Sequence, residues 1–365
     1  MSKHPCNLRG PSLRMMRGVS LIELMIAMLL GLVVVAAAGG LFLTNKRVYA
    51  STETLNRIQE NTRVSFEIMS RDIREAGGRP CGGTSKLVNL LNSKDSAWWT
   101  GFEDGLRGYD ANQGAPGTLT GSGNAQRATG TDAIDLHMAN NGDYSVQKHD
   151  TPSATLDLNT VSGLAIGDIA LVCNTAYSLI FQITGFADNK VQHNGGNGSP
   201  GNCGQEFQYE EPGAGSCSGA SNPFGYCMMG ATSAQCVKNS EDPAALVKLG
   251  TVRWYIGNNP RGSRSLYRAR VINKGLTAVP DIVDPVEIAE GVSQMQLEYR
   301  SLGSPAFVPA SSVADWTKVN AVRISLTAQG VDGALRGSYI EGTEGVALSR
   351  DLTHVVAIRN REGVL

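Results

Sequence analysis

From Val19 to Leu43 the chain reads VSLIELMIAMLLGLVVVAAAGGLFL, 25 residues with a single charge, Glu23, near the start of the run. As a helix at 1.5 Å per residue, this run is long enough to cross a hydrocarbon layer of about 30 Å. A carboxylate inside such a segment costs about 3 kcal/mol on insertion scales, and intramembrane charges usually have a partner. Residues 1–18 hold Lys3, Arg9, Arg14 and Arg17 with no acid, a net charge of +4. The whole chain balances 32 Lys+Arg against 33 Asp+Glu, which leaves the remainder mildly acidic. There is no basic footprint for gripping nucleic-acid phosphates, and the basic head reads as membrane targeting.

Two readings of the apolar run compete. One is a secretory signal peptide cut at the small residues Ala36 to Ala38, which releases a soluble disulfide-bonded binding domain. The other is a segment cut ahead of the run and kept as an anchor. Glu23 favours the second, because a signal-peptide apolar region has no use for a carboxylate. The continuation of the helical pattern favours it too. Val48, Leu55, Ile58, Thr62, Phe66, Met69, Ile73 and Ala76 recur mostly at spacings of three and four, one stripe of a helix. Glu53–Arg57, Glu60–Arg63 and Glu67–Arg71 are spaced as helical ion pairs, and Gly77-Gly78-Arg79-Pro80 is a stop signal. Residues 20–76 thus predict one rod of about 85 Å, apolar all round in its first half and amphipathic in its second.

Arg17-Gly18-Val19-Ser20-Leu21-Ile22-Glu23 followed by a long apolar helix resembles the class III signal of type IV pilins and type II secretion pseudopilins. The resemblance implies cleavage after Gly18 by prepilin peptidase, N-methylation of Val19, and subunits held in the bacterial inner membrane before assembly into a filament. It assigns Glu23 to pairing with the free Val19 amine of a neighbouring subunit. In low dielectric such a pair removes two uncompensated charges from lipid, and so sets axial register more than it adds stability. The implied segments are a leader at 1–18, a membrane and filament-core helix at 19–43, its amphipathic continuation at 44–78, and a periplasmic domain at 79–365.

Beyond Cys81 the helical period gives way to short alternating runs. Ile134, Leu136 and Met138 alternate with Asp135 and His137, and Val252, Trp254 and Ile256 alternate with Arg253 and Tyr255. Similar runs cover Leu179 to Ile183, Met295 to Tyr299, Val322 to Leu326 and His354 to Arg359. A long helix packed on an antiparallel sheet, with Gly/Asn/Ser/Pro loops between strands, predicts the α+β class. The loop at 187–236 is rich in Cys and Gly and long for a compact domain. Six body cysteines, Cys81, Cys173, Cys203, Cys217, Cys227 and Cys236, read as three disulfides in an oxidising compartment, with 15 possible pairings. They form no C-x-x-C pair, so a zinc site is not expected.

Several body phrases together resemble the PilW family of minor pilins, whose domain is related to the J-type pseudopilins. They are the strand from Gly167-Asp168 to Cys173, Tyr177 to Gly185, VRWYIGNNP from Val252, Ser265-Leu266-Tyr267-Arg268, Glu290-Gly291-Val292, Met295-Gln296-Leu297-Glu298-Tyr299, VNAVRISL from Val319, and Val355 to Arg361. The implied partners are other minor pilins, the major pilin, prepilin peptidase, the inner-membrane assembly platform and its lipid, with a tip adhesin as a further candidate. Pilus-dependent adhesion, twitching motility or DNA uptake would be the process served; a J-like role in protein secretion is the same-class alternative. Catalytic patterns are missing. Gly215-Ser216-Cys217-Ser218-Gly219 puts Cys where a nucleophile elbow needs Ser, and Asp110-x-Asn112-x-Gly114 lacks the carboxylates of a calcium loop and reads as a turn. His137, His149, His193 and His354 are scattered, and His137 and His354 fall on polar or edge faces of strands. Asp281, Asp284, Glu287 and Glu290 read as a solvated connector, and Trp98 and Trp99 beside Phe102 as core. No enzyme activity, cofactor or metal is expected.

Overall fold

A computed structural model describes residues 18–82, 85–92, 98–150, 153–196, 198–205, 207, 226, 244–279, 281–331 and 348–361. Of the candidate residues, Cys217, Cys227, Cys236 and the run Gly215–Gly219 lie outside the described residues, as does the leader up to Arg17. Helix α1 spans Leu21–Glu75. The chain divides into two compact units, Met1–Glu53 and Thr54–Leu365.

In the first unit, the described chain from Leu21 onward is helix, and every described residue from Gly18 to Ala50 is exposed. Its most apolar window has a mean hydropathy of 2.7 and none of it is buried. By length and composition it is able to cross a membrane.

The second unit begins with the remainder of α1. Ile58, Thr62, Ser65, Phe66, Met69, Asp72 and Ile73 are buried, steps of three and four that put them on one face. The stripe expected from sequence holds from Ile58 onward; Leu55 is turned out and Thr54 takes the buried place. Arg71 pairs with Glu75 at 3.2 Å rather than with Glu67, across an exposed surface where such a pair adds little. Glycine ends the helix as expected: Gly77 has φ +65 and donates its N–H to the His137 carbonyl at 2.8 Å.

Fifteen strands follow among the described residues. They are β1 Lys86–Asn89, β2 Leu106–Tyr109, β3 Ala133–Asp150, β4 Thr155–Leu158, β5 Ile169–Cys173, β6 Tyr177–Gln182, β7 Gly185–Ala187 and β8 Lys190–Gln192. The second series is β9 Ala245–Asn258, β10 Arg264–Ile272, β11 Asp281–Glu290, β12 Val292–Ser301, β13 Phe307–Val308, β14 Val319–Gln329 and β15 Ser349–Ala357. One large sheet runs β1-β6-β5-β9-β3-β4-β8-β7, with β10 joined to β9, β11 to β10 and β2 to β3; the second runs β13-β12-β14-β15. Pairing is antiparallel except between β1 and β6. The α+β reading stands: one long helix and a mainly antiparallel body.

The largest core lies under α1, where Phe66, Met69 and Ile73 meet Leu136, Trp254, Met295 and Val322. A second core gathers Leu156, Val172, Leu179, Phe181 and Val191. The alternation on β3 and β9 is sharper in sequence than in burial. Asp135, His137, Arg253 and Tyr255, read as polar-face residues, are all buried. The segment from Trp98 to Ala128 lies over that face. Arg253 there reaches the Pro116 carbonyl and the Thr118 hydroxyl, and Phe102 stands 5.0 Å from the His137 ring. The acidic run 281–290 is no connector: it is strand β11, paired along β10. Its Glu287 and Glu290 both accept from Arg261.

Candidate assembly site

Gly18, Val19 and Glu23 stand together at the start of α1, and all three are exposed. Ser20 caps the helix. The Glu23 N–H donates to Ser20 Oγ at 3.2 Å and the Leu24 N–H to the Ser20 carbonyl at 3.1 Å. Ser20-x-x-Glu23 is therefore a helix-start pattern, readable in the sequence as S-x-x-E before an apolar run. It places the Glu23 carboxylate in the first turn, where the positive end of the helix dipole favours it. Gly31, Gly39 and Gly40 have open space where a Cβ would stand, so another helix can approach closely there. Farther along, Thr44 and Thr52 return their hydroxyls to the Gly40 and Val48 carbonyls at 2.9 Å.

In the second unit, one carboxylate on the buried stripe ties the helix to the sheet. Asp72 Oδ2 accepts from Trp254 Nε1 at 2.9 Å and from Arg268 Nε at 2.7 Å. Trp254 is fully buried on β9, and Arg268 on β10 keeps a quarter of its side chain exposed. Asp72 escaped sequence reading; its signal was an acid spaced with Met69, Ile73 and Ala76. Phe66 adds an apolar contact, its ring 4.4 Å from that of the exposed His354 on β15.

Beneath lies a second ionic tie. Arg253 holds Asp135 through two hydrogen bonds of 2.6 and 2.7 Å, with both side chains wholly buried. Tyr109 donates to the same carboxylate at 3.0 Å, and Trp98 stacks on the guanidinium at 4.5 Å. Trp98 and Trp99 are half-buried and Phe102 is core. Asp110 opens a turn, its carbonyl accepting from the Gln113 N–H at 2.8 Å, and its carboxylate accepts the Ala310 and Ser311 N–H groups at 2.8 Å.

Two histidines scattered in sequence come together. His149 Nδ1 accepts from the Tyr226 N–H at 3.1 Å, so its proton sits on Nε2, which lies 3.1 Å from His193 Nε2. His193 stacks on Phe207 at 4.1 Å, and among the described residues no hydrogen-bond partner meets its Nδ1 at good geometry. Burial pushes His149 down to about 4 and His193 well below its ordinary value. His137, bonded to Thr251 at 2.8 Å, is likewise pushed down to about 4 by burial. These imidazoles are neutral packing groups at neutral pH.

Cys81, just past the end of α1, is bonded to Cys173 at the end of β5, a span of 92 residues. Cys203 is also in a disulfide. Among the described residues no cluster of three His, Cys, Asp or Glu side chains is arranged to hold a metal.

No curated protein and no solved structure matches the chain. Residues 253–359 match the family model described as Type IV Pilus-assembly protein W, PilW. That stretch runs from within β9, whose Trp254 receives the helix, to just past β15. It carries most of the phrases, from Arg253 to Arg359, in which the sequence resembles that family. Over this stretch the chain is similar to that family of type IV pilus-assembly proteins.

Proposed function

We propose that the protein is a non-catalytic minor pilin that helps to initiate or assemble the pilus. Prepilin peptidase cuts after Gly18, Val19 becomes the N-methylated first residue, and the apolar part of α1 holds the subunit in the inner membrane. The observation that carries this reading is the single helix Leu21–Glu75, which begins at a Ser20 cap two residues past Gly18. A cut after Ala38 would remove that cap and the whole exposed apolar run before it, and then Glu23 would have no use.

During assembly, Glu23 of one subunit meets the free Val19 amine of a neighbour. At an effective dielectric of about 20, opposite charges 4 Å apart attract by about 4 kcal/mol, and desolvation offsets much of that. The pairing thus selects axial register. The sheet body then selects other minor pilins and the major pilin, in support of adhesion, twitching motility or DNA uptake. The test is the mass of the N-terminal peptide of protein extracted from membranes. A peptide starting at Val19 with one added methyl is expected; a start after Ala38, with product in the soluble fraction, overturns the proposal. Glu23→Ala is expected to lower incorporation into pili at least tenfold, and unchanged incorporation refutes the register role.

A further inference from the structure

A small cleft opens beside the end of α1, within the second unit. Its apolar floor includes Leu87 of β1, Leu171 of β5, Ile180 of β6, Leu249 of β9 and Phe102. Its charged lining is Arg79, Arg361 and Glu103, two cations against one carboxylate. The two arginines are differently engaged. Arg361 spends both terminal nitrogens on the carbonyls of Trp316, Val319, Glu103 and Asp104, so it fastens loops and contributes only its field to the cleft. Arg79 gives one bond, from Nη1 to the Ser85 carbonyl at 2.7 Å. Among the described residues, four of its five N–H donors are left without a partner.

Among the described residues no carboxylate acts on Arg79; burial alone bears on it, and its charge works against that of Arg361. A half-buried cation without a counter-ion is costly unless something supplies the anion. Capping the helix does not account for it, because the Ile73 and Glu75 carbonyls are taken by the Ala76 and Gly78 N–H groups. The side chain is also held in position. Gly77 and Gly78 precede it, Ser85 accepts from it, and Cys81 two residues on is bonded to Cys173. A held, planar fork of donors above an apolar floor suits one ligand chemistry, a carboxylate with an apolar group beside it.

We propose that this cleft binds such a carboxylate, anchored on Arg79 with its apolar group on Leu87, Ile180 and Leu249. Two sources share the chemistry: the C-terminal residue of a peptide ending in an aliphatic side chain, and a short fatty acid. Neither depends on the pilin reading above.

The experiment titrates the full chain in detergent micelles with N-acetyl-leucine, hexanoate and the uncharged N-acetyl-leucinamide, followed by ligand-observed NMR. At least one acid is expected to saturate, with the amide at least tenfold weaker than N-acetyl-leucine if the peptide acid is preferred. Preference for N-acetyl-leucine supports a peptide terminus, and preference for hexanoate an acyl chain. Arg79→Gln is expected to reduce binding of the preferred acid at least tenfold, while Arg79→Lys restores part of it. No saturable binding, equal binding of N-acetyl-leucine and its amide with no binding of hexanoate, or full binding by Arg79→Gln overturns the proposal. Should Arg79→Gln fail to fold, loss of acid binding on the wild-type chain with rising salt stands in its place, and salt-independent binding overturns it.

Discussion

Replacing Asp72 by Ala removes the one carboxylate that joins the second half of α1 to β9 and β10. Its partners differ in how much they lose. Trp254 Nε1 lies on a fully buried side chain, so its donor is left without water or protein acceptor, at a cost of about 1–3 kcal/mol. Arg268 keeps 26% of its side chain exposed and regains solvent, which reduces the loss there to about 1 kcal/mol. The sum is about 2–4 kcal/mol. Asp72→Asn keeps one acceptor for Trp254 and gives up only the charge, so about half that loss is expected. Urea unfolding of the full chain in detergent, followed by tryptophan fluorescence, reads both as shifts in midpoint. A cycle with Arg268→Ala isolates the ionic part, and distinct coupling of about 1 kcal/mol is expected. If Asp72→Ala stays within 0.5 kcal/mol of wild type, the helix is held by its apolar stripe alone and the argument fails.

Three further outcomes rest on separate features. Gly105→Ala meets a positive φ of 65 and would put a Cβ 2.7 Å from Arg361 Nη2 and 2.9 Å from Gly77 Cα, so a loss of about 1–3 kcal/mol is expected by the same urea assay. Replacing both Cys81 and Cys173 by Ser opens a 92-residue loop and lowers stability by about 4 kcal/mol; an unchanged midpoint would count against a staple role. Acid acts through buried imidazoles. His137 and His149, lowered to about 4 when folded against about 6.5 unfolded, contribute stability that is complete above pH 6.5. It is lost as pH falls from there through 4, by about 3 kcal/mol each. Asp132, raised by burial to about 6, has the opposite sign and regains about 3 kcal/mol over pH 6 to 4. The net expectation is a urea midpoint that falls between pH 7 and 4.5, with a smaller fall in His137→Gln; a flat profile refutes the assignment.

Periodicity made the helix and many of the strands legible, because a stripe at three and four and an alternation at two are properties of local geometry. The same rule misled on β3 and β9. Asp135, His137 and Arg253 are polar, so the pattern reads as a wetted face, yet the segment from Trp98 to Ala128 covers it and each group is buried with a partner. Coverage by a separate segment leaves no trace in a strand's own residues. The pairing of His149 with His193 is likewise made by tertiary structure, because β4 pairs with β3 on one side and β8 on the other and so brings the end of β3 close to the residue after β8. Asp72 was legible in principle, as an acid in phase with an apolar stripe. At the helix start, Gly18 and Glu23 were legible as a spacing, while the part played by Ser20 came from capping geometry.

That cap makes two roles of Glu23 separable. In a lone subunit the residue belongs to its own helix, its N–H on Ser20 Oγ and its carboxylate in the first turn, where the dipole contributes about 0.3–1 kcal/mol. This is far short of the roughly 3 kcal/mol that a carboxylate costs within lipid, so the cap alone does not account for keeping an acid there. On the proposed pairing, a neighbour's amine does. Ser20→Ala removes the cap acceptor and costs about 1 kcal/mol of helix start without touching any charge. Glu23→Gln keeps the N–H and the length of the side chain but abolishes the ion pair. If Glu23 serves register between subunits, Ser20→Ala leaves incorporation into pili within about twofold of wild type while Glu23→Gln lowers it tenfold or more. If both variants fall alike, the residue is needed for the start of its own helix, and register must come from the apolar face itself.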